Sequence, residues 1–174
     1  AYWSVPFRRL LEIISWTLPI TGIIGLPLLF QQEYMFHWFH PEGDHILEHK
    51  AAYLNSTFFT IRYFVYFIIW TAFAWIFSRN SLRQEEKGEQ RYTTYNLRWS
   101  AFFMCCMALT TSFCAIDWIM SLEPHWFSTM FGVYFFSGMI VTGFAVLALF
   151  GIYLKEKGYL HPGTNKGHFY PIGT

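Results

Sequence analysis

The chain has 174 residues and a formal net charge of +1, and only 13% of its residues are charged while 54% are hydrophobic and 22% aromatic. A soluble domain carries about a quarter charged residues, so this composition argues against one, and the near-neutral charge gives no support for nucleic-acid binding. The three cysteines form neither a haem-attachment motif nor a four-cysteine iron–sulfur pattern, and no metal site is predicted.

Four long apolar blocks follow one another along the chain. Each reaches the roughly 20 residues that an α-helix needs to cross a bilayer, and none alternates as a membrane β-strand does. The sequence therefore predicts an all-α fold, an integral membrane four-helix up-down bundle within a larger polytopic subunit. The predicted helices lie at about 10–30, 58–77, 99–122 and 126–154, with an outer loop at 31–57 and a cytoplasmic loop at 78–98.

The first block holds one acidic residue, Glu12, close to Arg8 and Arg9. Two interpretations of this group are open. One is a local salt bridge, and the other is a site where protons enter from the cytoplasm. Pro19 removes a backbone hydrogen bond inside the block, which predicts a kink.

The outer loop is rich in histidine, and its residues 45–49 fit the pattern H-x-x-E-H. Five residues make a weak match to a zinc-protease motif. We expect a polar external loop that packs on a partner, and metal binding and proteolysis are the alternatives.

The second and third blocks each contain one charge, Arg62 and Asp117. Both lie about five residues from the outer end of their predicted helix, so equal depth makes an ion pair possible. A carboxylate inside a membrane helix is costly and marks a candidate functional site. The alternative for Arg62 is that it extends to the interface alone.

Asp117 belongs to a polar stripe in the third block. The stripe has helical spacing and places its residues on one face: Cys106, Thr110, Cys114, Asp117 and Ser121. Thr110 and Ser121 either line a proton path or bond to neighbouring helices.

Glu123 and His125 follow in a turn that Pro124 stiffens. Histidine titrates near neutral pH, so this pair could pass protons between Asp117 and water. An ordinary interfacial turn between two tryptophans is the alternative.

The distribution of Lys and Arg predicts the orientation of the chain. Basic residues lie at both chain ends and in the 78–98 connection: Arg8, Arg9, Arg79, Arg83, Lys87, Arg91, Arg98, Lys155, Lys157 and Lys166. The loop 31–57 contains only Lys50, and the turn 121–125 has no Lys or Arg. The positive-inside rule then places both ends in the cytoplasm.

Three stretches resemble a known family: residues 117–129 with 131–134, residues 50–62, and the opening 3–9. They are similar to a membrane subunit of the bacterial alternative complex III, the quinol:electron-acceptor oxidoreductase. The match is to its second quinone-binding-type subunit, which is related to the polysulfide-reductase membrane anchor family. Family members have about ten membrane helices, so we expect this chain to be an internal segment.

The resemblance implies a multi-pass protein of the bacterial inner membrane, surrounded by lipid and by other membrane subunits. It implies that multihaem cytochrome c and iron–sulfur partner subunits carry haem c and the clusters, and that menaquinone or ubiquinone is the substrate of the complex. A proton path through this chain would use Asp117, Glu123, His125 and Arg62, with Thr110 and Ser121 on the stripe. The alternatives are a secondary transporter or channel, and a purely structural membrane anchor.

Overall fold

The computed structural model of the chain describes residues 4–40, 43–160 and 169–170. Trp3 and Lys166, which the sequence arguments used, lie outside the described residues. Those described form helices joined by short connections, and no strand occurs among them. The α-helices are α1 (Ser4–Ser15), α2 (Thr17–Ile24), α3 (Pro27–Phe30), α4 (Gln32–Met35), α5 (His45–Lys50), α6 (Ser56–Lys87), α7 (Arg91–Trp118) and α8 (Phe131–Glu156).

Four helical segments of the described chain are long and apolar enough to cross a membrane. They are Phe7–Phe30, Ser56–Lys87, Arg91–Leu122 and Phe131–Glu156. The last of the four begins at Phe131, five residues later than the sequence predicts, because residues 123–130 form an irregular connection.

Two prolines interrupt the first span. The ring of a proline clashes with the carbonyl group four residues earlier, and α1 ends at Ser15, four residues before Pro19. Pro27 begins α3 directly after the turn at Gly25 and Leu26. The segment is thus a series of three short helices instead of one kinked helix.

Helices α6 and α7 form an antiparallel hairpin with a very short turn. The side chain of Asn55 caps α6 by accepting a 2.8 Å hydrogen bond from the backbone N–H of Phe58. Gly88 ends the helix in the left-handed conformation, with φ of 65°, which glycine adopts without strain. The 78–98 segment, predicted as a loop, is therefore helical except for residues 88–90.

The loop between the first span and α6 has its own apolar core. Phe36, Trp38, Leu47 and Leu54 are buried together with Phe59 of α6. The carboxylate of Asp44 begins α5 by accepting a 2.9 Å hydrogen bond from the N–H of Ile46. The loop thus packs on the first turn of α6 and fixes the surroundings of Arg62.

The described residues divide into two compact units. The larger unit, residues 16–136, contains α2 to α7 and the first turn of α8. The smaller unit combines the N-terminal helix with residues from 137 onward, and its buried contact joins Phe7 to Leu147. All residues of the site described next belong to the larger unit.

Candidate functional site

Arg62 and Asp117 form a buried ion pair between α6 and α7. The Nε of Arg62 donates to Oδ2 of Asp117 at 2.8 Å, and only 9% and 1% of the two side chains are exposed. Because the helices are antiparallel, a residue near the start of α6 meets one near the end of α7. The equal depth predicted from the sequence thus corresponds to direct contact.

Two tyrosines add hydrogen bonds to this pair. The hydroxyl of Tyr66 donates to the same Oδ2 of Asp117 at 2.6 Å, and Nη1 of Arg62 donates to the backbone carbonyl of Tyr53 at 3.1 Å. Tyr66 lies four residues, or one helical turn, after Arg62. This spacing could have indicated from the sequence that Tyr66 lies beside the ion pair. Tyr53 had no such signal, since its position depends on the fold of the loop.

Aromatic rings enclose the guanidinium of Arg62. Its central carbon lies 4.0 Å from the ring centroid of Tyr53 and 4.3 Å from that of Phe58. A cation over an aromatic face is stabilised by about 1–2 kcal/mol, and more strongly where water is excluded. These rings therefore help to hold the charge of Arg62 in a buried place whatever the state of Asp117.

Three polar atoms of this group are buried without a hydrogen-bond partner in the described part of the chain: Oδ1 of Asp117, Nη2 of Arg62 and the hydroxyl of Tyr53. Buried polar atoms normally have partners, so unpaired ones mark a place where chemistry or solvent can act. Burial, and next the charge of Asp117, raise the pKa of the Tyr53 phenol. Tyr53 therefore stays protonated at neutral pH.

Trp118 closes the site on the side of α2. Its ring stacks on Phe67 with centroids 5.7 Å apart and meets Tyr63 at 5.6 Å. The hydroxyl of Tyr63 donates to the carbonyl of Gly22 at 2.6 Å, which ties α2 to α6. The ion pair thus sits in a largely apolar surrounding.

The hydroxyl groups of Thr110 and Ser121 donate within their own helical segment, and Thr110 also accepts a hydrogen bond from the neighbouring helix α6. Thr110 donates to the carbonyl of Cys106 at 2.7 Å and accepts a 2.9 Å hydrogen bond from the indole of Trp70. Ser121 donates to the backbone carbonyl of Asp117. Both hydroxyl hydrogens are therefore directed at backbone carbonyls of that segment.

Glu123 and His125 lie in the exposed turn after α7. The Nε2 of His125 is 3.0 Å from a carboxylate oxygen of Asp44, and the side chain is 51% exposed. Lys50 donates to the carbonyl of Pro124 at 2.5 Å. The turn is thus attached to the 43–55 loop, and the structure places His125 beside Asp44 while Asp117 pairs with Arg62.

The remaining sequence candidates have local contacts. Glu12 accepts from Arg8 at 3.3 Å and from Arg9 at 2.8 Å, as a local salt bridge requires. His45 and His49 pack edge to face with ring centroids 4.6 Å apart. In the described ranges, no three His, Cys, Asp or Glu side chains converge as a metal site would require.

Fold and site together define an all-helical protein with four helices that could span a membrane and a buried Arg–Asp pair between two of them. No protein-family model matches the chain, and no curated protein matches it.

Proposed function

We propose that the chain is a membrane subunit of a bacterial respiratory quinol-oxidising complex of the alternative complex III type. In this proposal its four spans run up and down through the inner membrane with both ends in the cytoplasm. Partner subunits carry the haem c and iron–sulfur centres, and this chain contributes a proton-carrying carboxylate. The resemblance of residues 50–62 and 117–134 supports the choice of complex.

The asymmetry of the Asp117 carboxylate is the observation that carries the proton role. Its Oδ2 accepts from both Arg62 and Tyr66, whereas Oδ1 is buried and makes no hydrogen bond of normal geometry among the described residues, with the Tyr53 phenol as the group that interacts with the carboxylate more weakly. A proton can therefore bind to Oδ1 without displacing either hydrogen bond. A carboxylate inside a membrane bundle commonly serves proton transfer.

Arg62 would set the balance between the two protonation states. When Asp117 is ionised, the guanidinium neutralises it across 2.8 Å. When Asp117 is protonated, the Tyr53 and Phe58 rings still face the guanidinium and reduce the cost of its unpaired charge. Glu123 and His125, at the exposed turn, would exchange the proton with the outer phase.

The first experiment tests membership of the complex. A tagged chain is purified in mild detergent, and the preparation is examined by haem staining, by its optical spectrum and for quinol oxidation. We expect c-type haem and quinol-oxidising activity to co-purify with the tag. A haem-free preparation, under conditions that keep known respiratory complexes intact, would contradict the proposed function and leave a transporter or channel to be tested.

The second experiment tests the proton role with variants that separate charge from assembly. Asp117→Asn leaves Arg62 buried without a counter-charge, which costs about 3–5 kcal/mol, so lost assembly in that variant alone decides nothing. Arg62→Gln combined with Asp117→Asn removes both charges and keeps groups that can hydrogen-bond. We expect this double variant to assemble and oxidise quinol but to translocate fewer protons in proteoliposomes.

Purely structural anchoring is the second candidate, because Arg62 joins three parts of the larger unit. It bonds to Asp117 on α7 and to the Tyr53 carbonyl in the loop, while its own backbone lies in α6. Normal proton translocation by the assembled double variant would favour this candidate and contradict the proton role. Exposed Glu86→Gln is the control for an unrelated carboxylate change.

A further inference from the structure

A cleft of about 440 Å³ opens beside the ion pair, between the 43–55 loop, the end of α7 and the turn at 124–127. Its walls are mostly apolar side chains, among them Ile46, Leu54, Ile116 and Met120. Ile116 belongs to the last turn of a helix that could span a membrane, so the cleft lies where such a helix reaches its end. An amphipathic molecule at a bilayer surface would find its apolar part accommodated here.

Lys50 supplies a positive charge at this cleft. It is half-buried, and Nζ donates to the carbonyl of Pro124, a neutral group. The carboxylate of Asp44, in the same loop as Lys50, lies 3.0 Å from Nε2 of His125. Among the described residues, no carboxylate pairs with Lys50. An ammonium against apolar walls without a counter-ion favours binding of an anion.

The rest of the lining fits a lipid better than a soluble anion. Trp126 and Phe127 follow Pro124 along the cleft, and both are exposed. Tryptophan concentrates at the level of lipid headgroups, where its ring is apolar and its N–H is hydrated. A soluble phosphate would use Lys50 alone and leave these walls without a partner.

We propose that this cleft binds an anionic phospholipid, with its phosphate diester on Nζ of Lys50 and an acyl chain along Ile116 and Met120. A single negative charge neutralises the single ammonium. A zwitterionic lipid would bring a second cation next to Lys50, so we expect anionic lipids to bind more tightly. The cleft shares Tyr53 and His125 with the surroundings of the proton site, but the lipid proposal rests on Lys50 and the apolar walls and does not require Asp117 to carry a proton.

The test measures lipid retention by native mass spectrometry of the purified full-length protein. Phosphatidylglycerol and phosphatidylcholine with identical acyl chains are titrated separately. A lysine near a membrane surface contributes about 1 kcal/mol to anionic lipid binding, so we expect phosphatidylglycerol to bind about fivefold more tightly. Equal binding of the two lipids to the unaltered protein would overturn the proposal without any variant.

Three substitutions locate the site. Lys50→Gln should abolish the preference for phosphatidylglycerol, and Lys50→Arg should retain it because the charge is kept. Lys87→Gln removes an exposed lysine at the far end of α6 and should change nothing. An unchanged preference in Lys50→Gln would exclude this cleft as its cause.

The source of the phosphate is tested by competition. Glycerol phosphate, which has the headgroup chemistry but no acyl chain, should fail to displace bound phosphatidylglycerol at millimolar concentration. Displacement at that concentration would show a phosphate site in place of a lipid site and would overturn the proposal.

Discussion

The chemistry of the site depends on how the donors divide between the two oxygens of Asp117. Arg62 and Tyr66 both point at Oδ2, so one oxygen carries the hydrogen bonds that fix the side chain. The other oxygen is left for a proton. Protonation of Oδ1 therefore leaves both hydrogen bonds on Oδ2 in place.

Tyr66→Phe should destabilise the protein more than Tyr63→Phe. Tyr66 donates to an ionised group, and such a bond contributes about 1.5–3 kcal/mol, whereas Tyr63 donates to the neutral carbonyl of Gly22 and contributes about 0.5–1.5 kcal/mol. The two substitutions remove the same atom from neighbouring positions of one helix. The midpoint of thermal unfolding in one detergent measures the difference.

Equal losses in the two variants, or a larger loss in Tyr63→Phe, would contradict an ionised Asp117 in the resting protein. Each substitution keeps the aromatic ring, so the packing against Trp118 is unchanged in both.

For individual residues, the sequence indicated that Arg62 and Asp117 could pair, but it did not indicate which residues surround them. Arg62 and Asp117 could be matched because each is the only charge in its apolar block and their depths agree. Phe58 lies one helical turn before Arg62 in α6, but the contact of the Tyr53 ring with the guanidinium could not be foreseen, since it depends on how the loop returns to the start of α6. The direction of the Thr110 hydroxyl was likewise open, because serine and threonine can bond within or between helices.

Among the helices, hydropathy predicted where apolar segments lie but not where helices end. The charged segment after Phe77 has few apolar residues, so the sequence predicts a cytoplasmic connection there, with a helix as one of its possible forms. Its Arg, Glu, Gln and Lys residues are nevertheless good helix formers, and α6 continues to Lys87. The glycine at position 88, with its positive φ, marks the true end of the helix.

Gly132→Ala should disturb the contact between the first turn of α8 and α7. A Cβ atom at Gly132 would lie 2.9 Å from Cβ of Ser112, which is too close without a shift of the backbone. Such overpacking costs about 1–3 kcal/mol. Gly138→Ala in the same helix meets nothing within 4 Å and should be neutral or stabilising, since alanine favours helix by about 1 kcal/mol.

The two glycine variants are compared by their unfolding midpoints under identical conditions. Equal midpoints would mean that the approach of Gly132 to Ser112 is looser in solution than the structure has it, and that this contact does not limit the side chain at position 132.

At the scale of the whole molecule, the number of apolar segments could be predicted from the sequence, while the structure of the loop could not. Packing of the loop on a partner stays a prediction, but the sequence did not indicate that Phe36, Trp38 and Leu47 are buried in the loop against Phe59. These aromatic and aliphatic residues are scattered among histidines and acids, so no periodic pattern indicated a core.

The predicted orientation of the chain in the membrane can be tested by measuring which positions are accessible from one side of the membrane. The start of α6 and the end of α7 share one end of the hairpin, and the 88–90 turn lies at the other. Lysine and arginine concentrate toward the turn, whereas Lys50 is the only lysine or arginine from 31 to 57. The positive-inside rule therefore places the turn in the cytoplasm and the 43–55 loop outside.

Glu48→Cys and Glu86→Cys make a matched pair for this test, because both glutamates are exposed and lie on opposite ends of the hairpin. In spheroplasts, a membrane-impermeant maleimide should label the cysteine at position 48 above the background of the parent chain. It should reach position 86 only after the membrane is permeabilised. The reverse labelling pattern would mean that the chain has the opposite orientation and that Asp117 exchanges protons with the cytoplasmic side. Labelling of both positions in intact spheroplasts would contradict a hairpin that crosses the membrane.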